Sequence, residues 1–281
     1  MAGDEKSAPK GALNGGHAES HANGEEFPLL VAPAAATGAE TNTLRFMLVP
    51  VACFRINDVR FDFDSAFVLP EAKAEFAELA NLRTLHEGAP LSVFGHADPA
   101  GDDDFNKKLS GRRSESVYAV LLRDPDRWER ISSEESQGHQ WGIRATQIML
   151  ATLGESPGDP TGSMNPATKA AIKSFQSAND LKDDGDAGPK TRKKLYVAYM
   201  DFLAGDFTLE KTDFLAQGAD PKGKGDFQGC SEFNPSMVFS NDEDAEFKKP
   251  SNKADRDEAN SPNRRVLILL FRAGSKVEPS K

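Results

Sequence analysis

The chain has 281 residues, of which 38% are hydrophobic, which suits one large or two small globular domains. Its 34 Lys and Arg residues stand against 44 Asp and Glu residues, and the net charge of -10 argues against nucleic acid as a partner. No apolar run reaches the roughly 20 residues of a membrane-spanning helix, so no membrane span is expected.

The N-terminal region differs in composition from the rest of the chain. Residues 1–43 are rich in Gly, Ala, Ser, Glu and Asn, which predicts a disordered leader. The stretch FPLLVAPAAA at residues 27–36 imitates a signal-peptide core, but Glu25 and Glu26 precede it where positive charge is required. No convincing signal peptide is predicted.

The chain has two cysteines, Cys53 and Cys230, which are 177 positions apart and form no metal-ligand spacing. Either they pair in a disulfide or both are buried thiols, and the sequence leaves the two alternatives open.

Apolar patterns predict the strands of a sheet. Strands are expected at residues 44–54, 59–67, 90–95, 212–217 and 264–271. A helix from Pro70 to about Gly88 and a longer one from about Asp104 to Arg123 connect the early strands.

Residues 140–203 have a different character, with three short amphipathic patterns that predict a compact helical unit. Asn165 and Pro166 supply a cap and a first helical residue, and the Asp184–Gly185 pair supplies a turn between the second and third helices.

Arg113 interrupts an apolar stripe on the longer predicted helix. The stripe repeats every four residues and consists of Phe105, Leu109, Arg113, Val117 and Leu121. A buried guanidinium needs an acidic partner, and Asp98, just beyond the strand at residues 90–95, is the natural candidate. The pair is either an internal salt bridge or a site where Asp98 holds an ammonium group and Arg113 holds a carboxylate.

Four sequence blocks occur in the order of a known family: FDFDSA, GHAD, NKKLSGRRSESV and NRRVLI. They resemble the peptidoglycan-associating domain shared by OmpA, Pal and MotB proteins. The family pattern GHTD, then N-x-x-L-S-x-x-R-A-x-x-V, is matched here by Asp98, Asn106, Leu109, Ser110, Arg113 and Val117. The resemblance implies that Asp98 and Arg113 grip the diaminopimelate residue of the peptidoglycan stem peptide.

The resemblance also implies three supporting contacts. Asn106 matches a loop asparagine, Arg264 matches the first arginine of the NRR block, and Asp64 matches the first-strand aspartate. Ala97 replaces the usual threonine and Ala66 replaces an asparagine of some members, which implies weaker or looser recognition.

The helical segment is similar to the three-helix peptidoglycan-binding domain 1. The similarity rests on WGIRATQIMLATLG and on PATKAAIKSFQSANDLKDDGDAGPKTRKKL, whereas DPTGSMN replaces the first aspartate-glycine turn. The matching residues are mostly core and turn positions, so they support the fold more than a site.

Together these patterns predict an α+β fold: an OmpA-like β-α-β-α-β sheet with helices on one face, interrupted by a small three-helix bundle. The expected organisation is a leader (1–43), an OmpA-like first part (44–136), the inserted module (137–205), an OmpA-like second part (206–273) and a tail (274–281).

The expected function is non-catalytic binding of peptidoglycan in the periplasm or cell envelope, anchoring the protein or an attached assembly. No catalytic residue, metal or cofactor is expected, because His96 with Asp98 imitates a metal pair but lacks a third ligand. The alternative is a structural adaptor of a secretion or contractile injection machine, whose main contacts are protein partners.

Overall fold

The computed structural model describes residues 48–62, 64–99, 102–134, 141–219 and 225–278. Before residue 48 it describes four two-residue strands: Glu19–Ser20 pairs with Glu26–Phe27, and Leu30–Val31 pairs with Leu44–Arg45. Apart from these strands, the predicted leader lies outside the described residues. Residues 50–281 form one compact unit.

This unit contains a mixed four-stranded sheet, which confirms the predicted fold class. The strands are β1 (Pro50–Asn57), β2 (Leu91–His96), β3 (Phe227–Gly229) and β4 (Arg265–Phe271). Their order across the sheet is β1-β4-β2-β3; β4 runs antiparallel to β1 and β2, and β3 runs parallel to β2.

Strand β4 lies at the centre of the sheet because its sequence, RVLILLF, is apolar almost throughout. Val266, Ile268 and Leu270 alternate along it and are fully buried. Ile268 lies opposite Phe54 of β1 and Val93 of β2, and this pairing fixes the register of the three strands.

Three helices of the OmpA-like part precede the module: α1 (Lys73–Leu85), α2 (Asp103–Leu122) and α3 (Pro125–Glu134). The Asp102 side chain accepts a hydrogen bond from the Phe105 N–H at 2.9 Å, which caps α2 at its start. Helix α3 was not predicted, although Asp124 and Pro125 supply a cap and a first helical residue.

The predicted three-helix module is present as α4 (Gly142–Thr152), α5 (Pro166–Ala178) and α6 (Pro189–Ala204). It shares a hydrophobic core with the OmpA-like part. Its Trp141 and Tyr196 contact Trp128 of α3, with ring centroids 5.0 and 5.6 Å apart. The module is therefore packed into the compact unit, not suspended from it.

Two predicted strands are wrong. Residues 59–67 fold back on themselves: Asp58–Arg60 is a 3-10 turn, and the Asp62 N–H donates to the Phe67 carbonyl at 2.9 Å. Residues 212–217 begin in another 3-10 turn, Lys211–Asp213, because the Asp213 carboxylate accepts the Glu210 N–H at 2.9 Å.

The strand that completes the sheet is instead β3, which lies in the glycine-containing segment after residue 218. The charged connection at residues 240–263 also holds two short helices, α7 (Asn241–Phe247) and α8 (Lys253–Ala259).

Candidate functional site

Four charged side chains meet at one end of the sheet, and we call them the charge cluster: Asp58, Asp98, Arg113 and Arg264. Asp58 bridges both arginines, with Oδ1 2.5 Å from Nη1 of Arg113 and Oδ2 2.8 Å from Nε of Arg264. Arg264 continues to Asp98, with Nη1 and Oδ2 2.5 Å apart. Two cations alternate with two anions, so the cluster is electrically neutral.

The sheet topology explains this convergence. Asp58 follows the last residue of β1, Asp98 lies two residues beyond the end of β2, and Arg264 directly precedes β4. Because β4 is antiparallel to both neighbours, the ends of β1 and β2 meet the start of β4 at the same edge. Helix α2 supplies Arg113 from the side.

Close packing of α2 on β2 requires glycine at position 95. A Cβ on Gly95 would lie 1.9 Å from the carbonyl oxygen of Ser110, so no other residue fits without movement. This contact sets the spacing between the helix that carries Arg113 and the strand that leads to Asp98.

Arg113 is the deeper arginine, with 5% of its surface exposed. Its Nε–H donates to the Ser65 carbonyl at 3.0 Å, and its guanidinium carbon lies 5.1 Å from the centroid of the Phe61 ring. Among the described ion pairs none joins Arg113 to Asp98. Of the two alternatives that the sequence left open, the internal Asp98–Arg113 salt bridge is therefore not formed between these described residues, which share a cluster through Asp58 and Arg264.

Two of the predicted supporting residues lie at the cluster. Asn106 is buried and donates from Nδ2 to the backbone carbonyl of Asp98 at 3.1 Å. Arg264 belongs to the cluster itself and also donates to the Asp257 carbonyl at 2.9 Å. Burial would lower the pKa of Arg264, but hydrogen bonds to the Asp98 and Asp58 carboxylates outweigh it and raise that pKa.

Asp64 lies in the turn between Asp62 and Ser65, where its backbone has a φ of 50°. None of the ion pairs found in the described part of the chain connects its carboxylate to the cluster. Asp64 is therefore not ion-paired with the cluster in the described part of the chain, although the neighbouring Ser65 carbonyl accepts a hydrogen bond from Arg113.

Asp58 was missed by sequence reasoning. Sequence reasoning assigned two acids, Asp98 and Asp64, to the site with the two arginines, so charge balance gave no signal for a third acid. Asp58 lies between the strands predicted at residues 44–54 and 59–67, and neither pattern marks it as a site residue.

The cluster has an inner and an outer part. The side chains of Arg113 and Asp98 are 6% and 11% exposed, whereas those of Arg264 and Asp58 are 23% and 26% exposed. Arg264 and Asp58 are therefore the members of the cluster that are more accessible to solvent.

In the helical module, two buried glutamines brace the loops that precede α5 and α6. Gln147 accepts the Gly162 N–H at 3.0 Å and donates to Thr168, and Gln176 accepts the Gly185 N–H at 2.9 Å and donates to Thr191. The Gly162 and Gly185 φ values, 79° and 77°, suit glycine in such turns. The loop DPTGSMN therefore keeps its hydrogen bond to a buried glutamine, although it lacks the aspartate-glycine pair.

The polar groups elsewhere do not form a metal centre: across the described ranges, no three or more His, Cys, Asp or Glu side chains are placed to hold an ion. His96 instead donates from Nδ1 to the Phe233 carbonyl at 2.9 Å. Cys53 and Cys230 are both free thiols, so the disulfide alternative does not hold in this structure, and the alternative of two buried thiols is also wrong because Cys53 is exposed. No described helix has the length and hydropathy needed to cross a bilayer.

The mixed four-stranded sheet with its helices is consistent with an OmpA-like domain. Residues 60–155 match the model of the OmpA family, and residues 142–195 match the family described as "Putative peptidoglycan binding domain". The chain therefore contains an OmpA-like domain with a peptidoglycan-binding domain 1 module, as the sequence blocks indicated.

Curated relatives match parts of the chain. Outer membrane protein A of Escherichia fergusonii is 32% identical over 127 residues, which cover 44% of this chain and 48% of that protein. Outer membrane porin F of Pseudomonas fluorescens is 36% identical over 83 residues, or 28% of this chain and 26% of the porin. Zinc D-Ala-D-Ala carboxypeptidase of Streptomyces albus G is 42% identical over 74 residues, or 25% of this chain and 27% of the enzyme.

The chain thus spans about half or less of the length of these relatives. Both matching families are of a binding, non-catalytic kind, and they support peptidoglycan binding and association with the cell envelope.

Proposed function

We propose that this chain binds peptidoglycan without cleaving it and recognises the diaminopimelate residue of the stem peptide through the charge cluster. The observation that carries the proposal is the meeting of Asp98, Arg113 and Arg264 at one end of the sheet of an OmpA-like domain. Such binding would anchor the protein, or an assembly attached to it, to the cell wall in the periplasm or cell envelope.

The charges of the cluster suit the free end of diaminopimelate, which carries an ammonium and a carboxylate on one carbon. Asp98 accepts the ammonium, and the guanidinium of Arg113 takes the carboxylate with Arg264 as the second cation. A zwitterion adds no net charge, so the neutral cluster stays neutral when it binds. This balance avoids an uncompensated charge in a partly buried site.

Arg113 retains the capacity to bind such a ligand. Its contacts with Ser65 and Asp58 use two of the five N–H donors of a guanidinium. The ligand reaches Arg113 by breaking the ion pair between the more exposed Arg264 and Asp98. Arg264 then pairs with the ligand carboxylate, and Asp98 pairs with the ligand ammonium.

The experiment that tests this function is sedimentation of the full chain with purified diaminopimelate-containing sacculi. We expect Asp98→Ala and Arg113→Ala each to weaken binding by about 2 kcal/mol, roughly 30-fold, because each removes a desolvated charge partner. The matched control is Asp201→Ala, which removes an exposed carboxylate from a pair with Arg123 outside the cluster.

The three variants are first compared by circular dichroism, so that loss of binding is not loss of folding. If folded Asp98→Ala and Arg113→Ala variants sediment like the wild type, the charge cluster is not the wall-binding site. Wall binding would then have to come from the helical module.

A second candidate function is that of a structural adaptor in a secretion or contractile injection machine. The observation in its favour is an exposed apolar group close to the end of the sheet: Phe233, Met237 and Val238 are 70%, 43% and 79% exposed. Under this alternative, Phe233→Ser abolishes co-purification of a protein partner and leaves sedimentation with sacculi unchanged.

A further inference from the structure

One loop contacts both the charge cluster and the helical module. We call residues 61–62 and 64–68 the pocket loop. On the cluster side, the Ser65 carbonyl accepts the Nε–H of Arg113 at 3.0 Å, and the Phe61 ring lies under the guanidinium at 5.1 Å. These contacts fix the direction of the Arg113 side chain.

The opposite side of the loop is held by the module. Phe67 is fully buried, and its ring lies 5.2 Å from that of Trp141 and 5.7 Å from that of Tyr199, to which it is nearly parallel. The Tyr199 hydroxyl donates to the Val68 carbonyl at 3.0 Å.

A second contact reaches the loop from α4. Nε of Arg144 lies 3.1 Å from the Asp62 carboxylate, and Nη1 of the same side chain donates to the Pro160 carbonyl at 2.5 Å. One module side chain therefore connects the pocket loop to the module's own first loop.

The pocket loop is short and internally bonded, so its two sides cannot move independently. The Asp62 N–H donates to the Phe67 carbonyl at 2.9 Å, and the Phe67 N–H donates to the Ser65 hydroxyl at 3.1 Å. A displacement at Phe67 or Val68 therefore reaches the Ser65 carbonyl, which holds Arg113.

We propose that the helical module positions Arg113 through the pocket loop, with Tyr199 and Arg144 as positioning residues. The ligand in this inference rests on the proposed function, whereas the positioning of Arg113 does not depend on it. The module then has a role in the OmpA-like site that is separate from any wall contact of its own.

The test is Tyr199→Phe in the full chain. This substitution keeps the ring stacked on Phe67 and removes only the hydroxyl that donates to the Val68 carbonyl. The matched control is Tyr196→Phe, because Tyr196 belongs to the same aromatic cluster and its hydroxyl contacts Ser132 at 3.3 Å instead of the pocket loop. Two quantities are measured: the Nε–Hε NMR signal of Arg113, assigned with Arg113→Lys, and the affinity for a diaminopimelate-containing tripeptide.

We expect Tyr199→Phe to shift the Arg113 signal and to weaken tripeptide binding about three- to tenfold, the size of one lost hydrogen bond. Arg144→Gln, which also removes a module contact, should shift the signal in the same assay. Tyr196→Phe should leave both quantities at their wild-type values.

An unchanged Arg113 signal in both Tyr199→Phe and Arg144→Gln overturns the proposal, as does an equal shift in Tyr196→Phe. If the wild type fails to bind the tripeptide but the signal shifts as expected, the proposed ligand is wrong and the positioning role stands.

Discussion

The carboxylate of Asp58 faces the guanidinium of Arg113 at 2.5 Å, although 55 positions separate the two residues in the chain. The pair joins the end of β1 to the middle of α2, so its formation requires the sheet and the helix to be in place together. Because the second oxygen of Asp58 pairs with Arg264, one carboxylate contacts both cations of the charge cluster, and Asp98 supplies the second negative charge.

Replacing Asp58 with Asn should therefore destabilise the fold. Arg113 would remain buried with its ionic partner removed, and we expect the free energy of unfolding to fall by about 2 kcal/mol, below the full cost for a buried pair because Asp58 is partly exposed. Urea unfolding followed by circular dichroism measures the change.

Asp201→Asn is the control for that measurement. It removes the same kind of carboxylate from an arginine, but Asp201 is 60% exposed, so we expect a change of less than about 1 kcal/mol. Equal effects at positions 58 and 201 would show that the cluster contributes no more to stability than a surface pair.

Gly95→Ala should be strongly destabilising because the new Cβ would lie 1.9 Å from the Ser110 carbonyl oxygen. We expect a loss of about 3 kcal/mol or more in the free energy of unfolding, since strand and helix must separate. Gly111→Ala is the matched control: its Cβ would meet Gly229 at 3.8 Å, an ordinary contact, and alanine favours the helix by about 1 kcal/mol. A Gly95→Ala variant as stable as the wild type would contradict the close approach.

The chain should bind walls that contain diaminopimelate more strongly than walls that contain lysine. A lysine in the stem peptide keeps the side-chain ammonium of diaminopimelate but lacks the neighbouring carboxylate, so it leaves Arg113 and Arg264 without their ligand partner. We expect at least about tenfold weaker retention on lysine-type walls, measured by sedimentation of the chain with both wall types.

Asp98→Asn should bind both wall types weakly, because it removes the partner of the ammonium that they share. Equal retention of the wild type on the two wall types would mean that Arg113 and Arg264 only neutralise the cluster's carboxylates and do not bind the stem peptide.

Stability should fall as the solution is acidified through the histidine range. Burial, together with the charge of Arg265, lowers the pKa of His96, so the unfolded chain binds a proton at a higher pH than the folded chain does. The stability from neutral His96 is therefore present above the ordinary histidine pKa of about 6.5 and is lost below it, by at most about 1.4 kcal/mol per pH unit.

His96→Asn keeps a donor for the Phe233 carbonyl and does not titrate. Urea unfolding at pH 7 and pH 5 should therefore show a smaller loss of stability in this variant than in the wild type. Parallel losses in the two proteins would assign the acid sensitivity to other groups.

The sequence predicted those elements whose apolar pattern is long and regular. Strand β4, helix α2 and the three helices of the module all lie within a few residues of their expected positions. The segment at residues 59–67 alternates like a strand, yet Val59 is 66% exposed and the chain reverses at Asp64. Periodicity records which residues are apolar and does not record where the backbone turns back.

The candidate site was predictable in part for a similar reason. Arg113 was found because it interrupts an apolar stripe, and Asp98 and Arg264 were found because they lie in recognisable blocks. The pairing among them depends on strand order, which brings Asp58 beside residues 55 and 206 positions away. Local sequence does not contain that information.

The burial of Phe67 between Trp141 and Tyr199 has a consequence for avidity. Two binding units on a flexible tether adapt to any spacing of their targets, and the second contact is then favoured by a high effective concentration. Here the OmpA-like domain and the module share one hydrophobic core, which fixes their distance and angle. Under the proposed function, a wall fragment that spans both must already have the matching geometry, and mismatched spacings gain nothing from the second contact.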